Sequence, residues 1–335
     1  MNLKAAVIGL GVGEQHIHGY EEDNICEVVS ICDKNPEKLK EVALRYPGKN
    51  IFTDPDKILF DKSIDVVSIA TYDDTHYELI EKSISNGKHI FVEKPLCLTS
   101  NEYHLICDLL KKHPEIKLSS NLILRKSPRF IELKRKVDEG ILGVPYYFEG
   151  DYDYGRIHKI LNGWRGEIPN YSVVHGGAIH LIDLICWILK KKVIDVFAFG
   201  TNIATMNSKL NFNDTVSSLL RFEDGAIAKI GSNYSCVTPH FHRLSVYGTS
   251  ATFQQSHSGT VFINSRDPNV KPRIINDPYP GVGKSDLIPS FLKSILTNSK
   301  CNVTKQEVCD VMAISLAIEK SIKTGSKVGV EYRMI

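Results

Sequence analysis

One stretch of the chain, residues 87–96, places groups that can transfer a proton directly after a short apolar run. The apolar run is residues 90–92, and Glu93, Lys94 and Pro95 follow it. Such a run, preceded by a glycine, is typical of a buried strand in a parallel sheet, and ligands bind outside the carboxyl ends of such strands. Pro95 fixes its own backbone and biases that of Lys94. We therefore expect Lys94 to be a stiffly held proton donor or acceptor in a crevice, although a surface Glu-Lys pair is the alternative for this tripeptide alone.

A glycine-rich turn follows the first apolar run, residues 5–8. The turn consists of Gly9, Leu10, Gly11, Val12 and Gly13, and a helical pattern comes after it. Strand, glycine turn and helix in this order predict a dinucleotide site. The first glycine permits the tight turn, and the second lets the backbone approach a diphosphate at the helix N-terminus.

Glu14 departs from this motif. It stands where G-x-G-x-x-G has its third glycine, and Gly13 comes one residue early. A carboxylate near a diphosphate would repel it. Two explanations remain open: the turn is one residue shorter, or Glu14 points outward.

Asp33 directly follows the second apolar run, residues 28–32. It lies at roughly the 20-residue spacing from the glycine turn expected of the acid that binds the adenosine ribose. Its carboxylate would accept hydrogen bonds from both ribose hydroxyls and repel a 2′-phosphate, which favours NAD over NADP. Lys34 weakens that preference, since a cation could accommodate the phosphate. The alternative is that Asp33 is a helix N-cap or turn residue before Asn35 and Pro36.

The second half of the chain carries a candidate base. An apolar helix is predicted over residues 176–189, and it places His180 and Asp183 on one face because they are i and i+3. A histidine has an unperturbed pKa near 6.5, which suits it to taking a proton near neutrality. The alternative is a core histidine hydrogen-bonded to Asp183.

Strands and helices alternate in the first half, which predicts a doubly wound parallel sheet. Thr71 and His76 would then face the same crevice edge as Gly9 and Asp33. The expected strands are residues 5–8, 28–32, 51–52, 65–70, 90–92 and 117–124, and the expected helices after the glycine turn are residues 36–46, 71–87 with Gly87 as C-cap, 100–112 capped by Ser100 or Asn101, and 125–139.

The second half has a different pattern, which predicts an α+β domain with an antiparallel sheet. Its first strand alternates between Tyr146, Phe148, Gly150, Tyr152 and Tyr154 on one face and acidic residues on the other. The remaining expected elements are strands over 193–200, 215–222, 226–234 and 241–247, a hairpin turn at 223–225, a long loop over 264–284, and helices over 286–297 and 305–324.

The composition excludes several classes of protein. A chain of 335 residues predicts two domains, which we place at 1–122 and 123–335. A net charge of +2 gives no electrostatic case for nucleic acid, and no run of about 18 apolar residues exists to span a membrane. The eight cysteines have no C-x-x-C spacing, which predicts reduced thiols and no metal site. The first residues lack a signal-peptide pattern, so we expect a cytoplasmic protein.

These motifs together resemble the Gfo/Idh/MocA oxidoreductases, the family of glucose-fructose oxidoreductase and inositol dehydrogenase. The resemblance runs nearly end to end, and its most specific part is the Gly-Lys-His to Glu-Lys-Pro segment between a Thr-ended strand and a His-x-x-Asp helix. The matching segments are residues 7–11, 68–71 with His76, 87–96, 139–143, Trp164 with Arg165, 177–183 and 246–249.

The resemblance implies a Rossmann domain followed by an α+β domain with a large, mostly antiparallel open sheet, and association into homodimers or homotetramers through that sheet. It implies Lys94 and His180 as the catalytic residues. The implied cofactor contacts are residues 9–13, Asp33, Lys34, Ala70, Thr71, His76, Glu93, Lys94, Pro95, Asn121, Trp164 and Arg165. The implied substrate contacts are Lys94, Arg125, Tyr152, His175, His180 and Asp183.

The chemistry that the resemblance implies is reversible hydride transfer between a nicotinamide and a carbinol carbon of a sugar, polyol or nucleotide sugar. His180 would take the hydroxyl proton, and Lys94 would stabilise the developing alkoxide. Many members place an Asp four residues before this histidine, whereas this chain has Gly176 there, beside His175. Either His175 substitutes, or Lys94 and His180 suffice. The alternatives to a dehydrogenase are a non-catalytic dinucleotide-binding regulator and a non-redox lyase or glycosidase that oxidises NAD transiently.

Overall fold

The computed structural model of the chain describes residues 2–335, which divide into two compact units. The first unit contains the chain up to Ile123, together with Gly283–Asp310 and Arg333–Ile335. The second contains Leu124–Val282 and Val311–Tyr332. The domain boundaries expected from the sequence, 1–122 and 123–335, stay a prediction.

The helices and strands are numbered in chain order. Helices α1 to α10 are Gly13–Glu21, Pro36–Arg45, Asp56–Leu59, His76–Ser85, Ser100–Lys112, Pro128–Asp138, Ile157–Leu161, Ile179–Leu189, Ile288–Thr297 and Lys305–Thr324. Strands β1 to β15 are Leu3–Ile8, Cys26–Cys32, Asn50–Phe52, Val66–Ile69, His89–Val92, Leu118–Ser120, Pro145–Asp153, Val193–Thr201, Thr215–Phe222, Ile227–Asn233, Phe241–Gly248, Thr252–Ser256, Gly259–Ile263, Arg273–Ile274 and Val328–Gly329.

The sheet of the first unit has six parallel strands in the order β3-β2-β1-β4-β5-β6. Its central strands are apolar, and β4 is buried along its whole length, as expected for a sheet covered on both faces. The strand order reverses at β1, which puts a ligand crevice beside the carboxyl ends of β1 and β4. The doubly wound sheet predicted from the sequence is confirmed.

The sheet of the second unit has nine strands in the order β14-β13-β12-β11-β7-β10-β9-β8-β15. All neighbours are antiparallel except β7 and β10. In β9, Val216, Ser218, Leu220 and Phe222 are buried and alternate with more exposed residues, so one face of the sheet is covered and the other is open. The large, mostly antiparallel open sheet is therefore confirmed.

Several of the expected elements differ in their bounds or in their caps. Thr99, rather than Ser100 or Asn101, caps α5, because it and Glu102 form a reciprocal capping box. The strand expected over 117–124 is only Leu118–Ser120, since the backbone then turns into a short 3₁₀ helix over Ile123–Lys126. The helix expected from residue 176 starts with a π-helical turn, Val174–Ala178.

Four strands were not predicted: β12, β13, β14 and β15. Polar residues such as Gln254 and Gln255 interrupt the apolar signal of β12, and β14 and β15 are only two residues long. Among the described residues, no helix is long and apolar enough to cross a membrane.

Candidate active site

The glycine turn fits a diphosphate at two positions. Gly9 has φ +89°, and a Cβ there would lie 2.4 Å from the carbonyl oxygen of Ala70, so only glycine is accommodated. A Cβ on Gly11 would meet no atom within 4 Å, which leaves open space above the backbone. No side chain caps the start of α1, and of its first three N–H groups only that of Gln15 is donated within the turn, to the Val12 carbonyl at 3.0 Å, so the first two are available to an anion.

Gly13 performs the packing function of the third glycine. A Cβ there would lie 2.9 Å from the Ala70 Cβ and 3.0 Å from Val7, so the close approach of helix to strand requires glycine. The turn is therefore one residue shorter than G-x-G-x-x-G.

Glu14 is directed to α2. It accepts hydrogen bonds from Arg45 Nε at 2.7 Å and Lys38 Nζ at 3.2 Å. The hydrogen bond from Arg45, helped by Lys38, lowers the pKa of Glu14 despite partial burial. Both explanations offered for this departure from the motif thus hold, because the turn is shorter and the carboxylate is paired away from it.

Asp33 joins the end of β2 to the glycine turn. Its Oδ2 accepts the Leu10 N–H at 2.7 Å, and its Oδ1 accepts the Asn35 N–H at 2.9 Å. Asn35 caps α2, so the alternative that Asp33 is the N-cap is wrong, although Asp33 does belong to the turn. Lys34 Nζ lies 3.9 Å from the centre of the Tyr72 ring.

The backbone fixes the first residue after each central strand. Each such residue donates its N–H to the last residue of the neighbouring strand. The bonds are Gly9 to Cys32 (2.8 Å), Asp33 to Phe52 (3.2 Å), Ala70 to Ile8 (2.8 Å), Glu93 to Ile69 (2.8 Å) and Asn121 to Val92 (3.1 Å). The register of the sheet thus brings five of the expected cofactor residues to one edge.

The segments after β4 and β5 are tied together by His76. Its ring is buried, and Nδ1 donates to the Pro95 carbonyl at 2.7 Å. Its Nε2 is also buried and makes no hydrogen bond within the described residues. Thr75 Oγ1 donates to Thr71 Oγ1 at 2.7 Å. Hydrogen bonds therefore connect the residues that follow β4 and β5 at the crevice edge, and His76 Nε2 is a polar atom there without a hydrogen-bond partner among residues 2–335.

Glu93 is the centre of a polar cluster that includes a residue missed from the sequence, His16 of α1. Glu93 Oε1 lies 2.7 Å from Asn121 Nδ2 and 3.3 Å from His16 Nε2. Burial alone would raise the pKa of Glu93, but His16, Lys284 and Asn121 together lower it to about 2. His16 stands one turn after Gly13 on the apolar face of its helix, a position that signals burial but not its partner.

Lys94 and His180 lie in different units. Lys94 follows β5 and is half-buried, and its peptide bond to Pro95 is cis. His180 belongs to α8, is 8% exposed, and stacks on Tyr152 with ring centres 6.3 Å apart.

Asp183 and Arg125 form a buried ion pair, and both had been expected to contact substrate. Arg125 Nη2 lies 2.6 Å from Asp183 Oδ1, and Nε lies 3.0 Å from Oδ2. Both side chains are at most 2% exposed. Removing one partner of such a pair costs about 3–5 kcal/mol, because the other charge stays buried. The pair therefore holds α8, which carries His180.

Tyrosines fill the space beside Gly176. A Cβ at Gly176 would lie 2.4 Å from the hydroxyl oxygens of both Tyr171 and Tyr234, and these hydroxyls are hydrogen-bonded to each other at 3.1 Å. An aspartate side chain would not fit without displacing them. His175 is 2% exposed, and burial, helped by Lys323, lowers its pKa to about 4. Such a histidine is a weak base near neutrality, which favours the explanation that Lys94 and His180 suffice.

Tyr152 stands within a cluster of rings that the sequence did not reveal. The rings of Tyr234, His240 and His242 lie 5.0–5.9 Å from it. Tyr152 was expected on the strand face opposite the acidic residues, and it is 7% exposed. The cluster surrounds the tyrosine on which His180 stacks.

Trp164 and Arg165 lie in a short 3₁₀ helix, Trp164–Gly166, and are half-buried. The Arg165 guanidinium lies 4.2 Å from the centre of the Trp164 ring. Within residues 2–335, no group of three or more His, Cys, Asp or Glu side chains is placed to hold a metal ion.

A cavity of about 460 Å³ lies at the opposite edge of the first sheet, lined by residues that include Leu3, Asp65 and His89. Lys88 is buried there and donates to the carbonyls of Asp61 at 2.5 Å and Ile64 at 2.9 Å. Because these carbonyls satisfy the ammonium, we interpret Lys88 as structural.

The fold and the glycine turn define an NAD-binding oxidoreductase. A family model described as an oxidoreductase family with an NAD-binding Rossmann fold matches residues 3–121, and the GFO/IDH/MocA C-terminal domain matches residues 130–254. The chain belongs to the GFO/IDH/MocA family.

Two curated relatives cover much of the chain. It is 25% identical to an uncharacterized oxidoreductase, YrbE, of Bacillus subtilis, over 98% of this chain and 97% of that protein. It is 26% identical to myo-inositol 2-dehydrogenase of Thermotoga maritima, over 74% and 73% respectively.

Solved structures share the fold at lower identity. Levoglucosan dehydrogenase in complex with NADH has a TM-score of 0.88 at 22% identity, covering 99% of this chain and 100% of that chain. Scyllo-inositol dehydrogenase from Lactobacillus casei, with NAD(H) and scyllo-inositol, has a TM-score of 0.81 at 20% identity, covering 98% and 99%.

The buried His175 predicts a pH dependence of stability. The folded state binds its proton with a pKa of about 4, below the ordinary 6.5, so the unfolded state takes up more protons between these values. Stability should therefore fall as pH drops from 6.5 to 4, by up to about 3 kcal/mol from this group. Urea unfolding at several pH values should show a smaller loss for His175→Asn than for wild type. The exposed His158→Asn should keep the wild-type slope, and equal slopes for all three proteins would refute the prediction.

Proposed function

We propose that this protein is an NAD-dependent dehydrogenase that transfers a hydride between nicotinamide C4 and a carbinol carbon of a sugar, polyol or nucleotide sugar. The observation that carries the proposal is the alignment, at one sheet edge, of the open glycine turn with the segment Glu93-Lys94-Pro95. Relatives named as inositol and levoglucosan dehydrogenases support the substrate class.

The proposed reaction breaks a C–H and an O–H bond of the substrate and forms a C=O bond. NAD, when bound, supplies the hydride acceptor. His180 takes the hydroxyl proton at a ring nitrogen, and the Lys94 ammonium stabilises the alkoxide charge as it develops. In the reverse direction His180 returns the proton to the same oxygen.

We assign the diphosphate to the turn of residues 9–13 and the adenosine ribose to Asp33. Within that turn the N–H groups of Gly9 and Leu10 are already donated to Cys32 and Asp33, so the diphosphate would be bound by those of residues 11–13. Around the nicotinamide half we assign Thr71, His76, Glu93, Pro95 and Asn121, among which His76 is hydrogen-bonded to Pro95 and Asn121 to Glu93. Trp164 and Arg165 stay predictions as cofactor contacts, as do Tyr152 and His175 as substrate contacts. For Arg125 and Asp183, their mutual ion pair supports a positioning role for α8 rather than direct substrate contact.

The experiment that tests the function follows nicotinamide absorbance with NAD and with NADP against a panel of inositols, aldoses, anhydrosugars and nucleotide sugars. Reduction with a subset of the panel supports the dehydrogenase. Tight NAD binding without turnover on any compound would instead support the dinucleotide-binding regulator.

We also propose that the protein is a cytoplasmic homodimer or homotetramer that associates through the open face of the nine-stranded sheet. Phe199 and Leu219 are 67% and 54% exposed and share that face with Phe197, by the register of β8 and β9. Exposed apolar residues grouped in this way are typical of association surfaces. Sedimentation velocity measures the oligomeric state, and a protein that sediments as a monomer at micromolar concentration would contradict this proposal.

Lys94→Met should reduce turnover by about a hundredfold or more, the range for a lost acid–base or oxyanion contact. Folding and NAD affinity should change little, because the diphosphate and ribose contacts lie elsewhere. The exposed Lys111→Met serves as the matched control. Near wild-type turnover of Lys94→Met on an identified substrate would remove Lys94 from the mechanism.

Asp33 should set cofactor choice toward NAD, and Asp33→Ser should narrow the gap between NAD and NADP affinities. Asp33→Asn separates the two roles of this residue, because its amide oxygen can still accept the Leu10 N–H while the charge is gone. Calorimetric titration with both cofactors is the measurement. A wild type that already binds NADP tenfold tighter, about 1.4 kcal/mol, would show that the assignment is wrong.

A further inference from the structure

The carboxylate of Glu93 is held through one oxygen only. Asn121 Nδ2 and His16 Nε2 both contact Oε1, at 2.7 and 3.3 Å. Within residues 2–335, no hydrogen bond reaches Oε2, and the side chain keeps 12% of its surface exposed. Asn121 is itself anchored, because its Nδ2 also donates to the Lys284 carbonyl at 3.0 Å. Oε1 of Glu93 is therefore engaged by Asn121 and His16, and Oε2 remains available to a ligand.

The hydrogen bonds of His16 fix its tautomer. Ser68 Oγ lies 2.7 Å from Nδ1, and Glu93 lies beside Nε2. Nε2 also lies 3.4 Å from Asn121 Nδ2, but that amide donates its two hydrogens at shorter distances to Glu93 and to the Lys284 carbonyl. A carboxylate can only accept, so Nε2 carries a proton, and in the neutral ring Nδ1 accepts the Ser68 hydroxyl proton. His16 is completely buried and stands edge-on to Phe91, with ring centres 5.4 Å apart. The ring is locked by packing as well as by its hydrogen bonds.

The charge of the Glu93 carboxylate affects how favourably the site interacts with the oxidised and the reduced form of the cofactor. Glu93 directly follows β5, at the edge to which the nicotinamide half is assigned. The oxidised nicotinamide ring is cationic, and the reduced ring is neutral. A fixed negative charge nearby, shielded from water, therefore interacts more favourably with the oxidised form.

We propose that His16 is a positioning residue of the nicotinamide site, which together with Asn121 holds Glu93 so that its carboxylate favours NAD⁺ over NADH. This inference rests on the proposed function, because it takes the cofactor to bind at this edge. It assigns to His16, a residue outside the glycine turn, an effect on the relative affinity of the two cofactor forms.

The test measures dissociation constants for NAD⁺ and NADH in wild type, Glu93→Gln, His16→Phe, His16→Asn and the double variant His16→Phe/Glu93→Gln. Phenylalanine keeps the ring that packs on Phe91 but removes the donor, whereas asparagine restores an N–H. His18→Phe, at an exposed position of the same helix, is the matched control. Thermal unfolding of each variant monitors the fold.

Glu93→Gln should weaken NAD⁺ relative to NADH by about tenfold. His16→Phe should also weaken NAD⁺ binding relative to NADH binding. His16→Asn should restore part of the wild-type ratio of the two dissociation constants. The double variant should shift that ratio no further than Glu93→Gln does. If His16→Phe does not fold, the ratios in Glu93→Gln and His16→Asn still decide the matter, because both must shift, the latter less.

A change of equal factor for both cofactor forms, or additive effects in the double variant, would overturn the inference and leave His16 a structural residue. A wild type that binds neither form would instead refute the proposed function. The two failures are therefore distinguishable in the same titrations.

Discussion

The register of the parallel sheet is the constraint on which the rest of the site depends. The backbone hydrogen bonds of the strands continue one residue past their ends, at Gly9, Asp33, Ala70, Glu93 and Asn121. Each of these residues is therefore fixed by the sheet before its side chain makes any contact. Because parallel strands present all their carboxyl ends at one edge, a single register assembles chain segments that are far apart in sequence.

Motifs whose function is local were readable from the sequence. The order of strand, glycine turn and helix predicted the turn, and apolar runs predicted the central strands, because both depend on neighbouring residues. The sequence also located Asp33 correctly at the end of β2. Its bond to Leu10 N–H was not predictable, since it depends on how two adjacent strands are aligned.

Contacts between distant residues could not be predicted. Arg125 and Asp183 are 58 residues apart, and the sequence contains no signal that pairs them. His16 is a similar case, because a polar residue on an apolar helix face indicates burial but not its partner. The absence of an aspartate at Gly176 was readable, yet the two tyrosine hydroxyls that take the space come from separate parts of the chain.

The central claim is that the open space over the glycine turn receives the cofactor diphosphate, and titration of Gly11→Val with NADH tests it most directly. A Cβ at Gly11 meets no protein atom within 4 Å, so the substitution should leave the melting temperature nearly unchanged. The added side chain would occupy the space of the diphosphate, so NADH affinity should fall by at least about a hundredfold, or about 2.7 kcal/mol. Wild-type NADH affinity in a folded Gly11→Val protein would contradict the account.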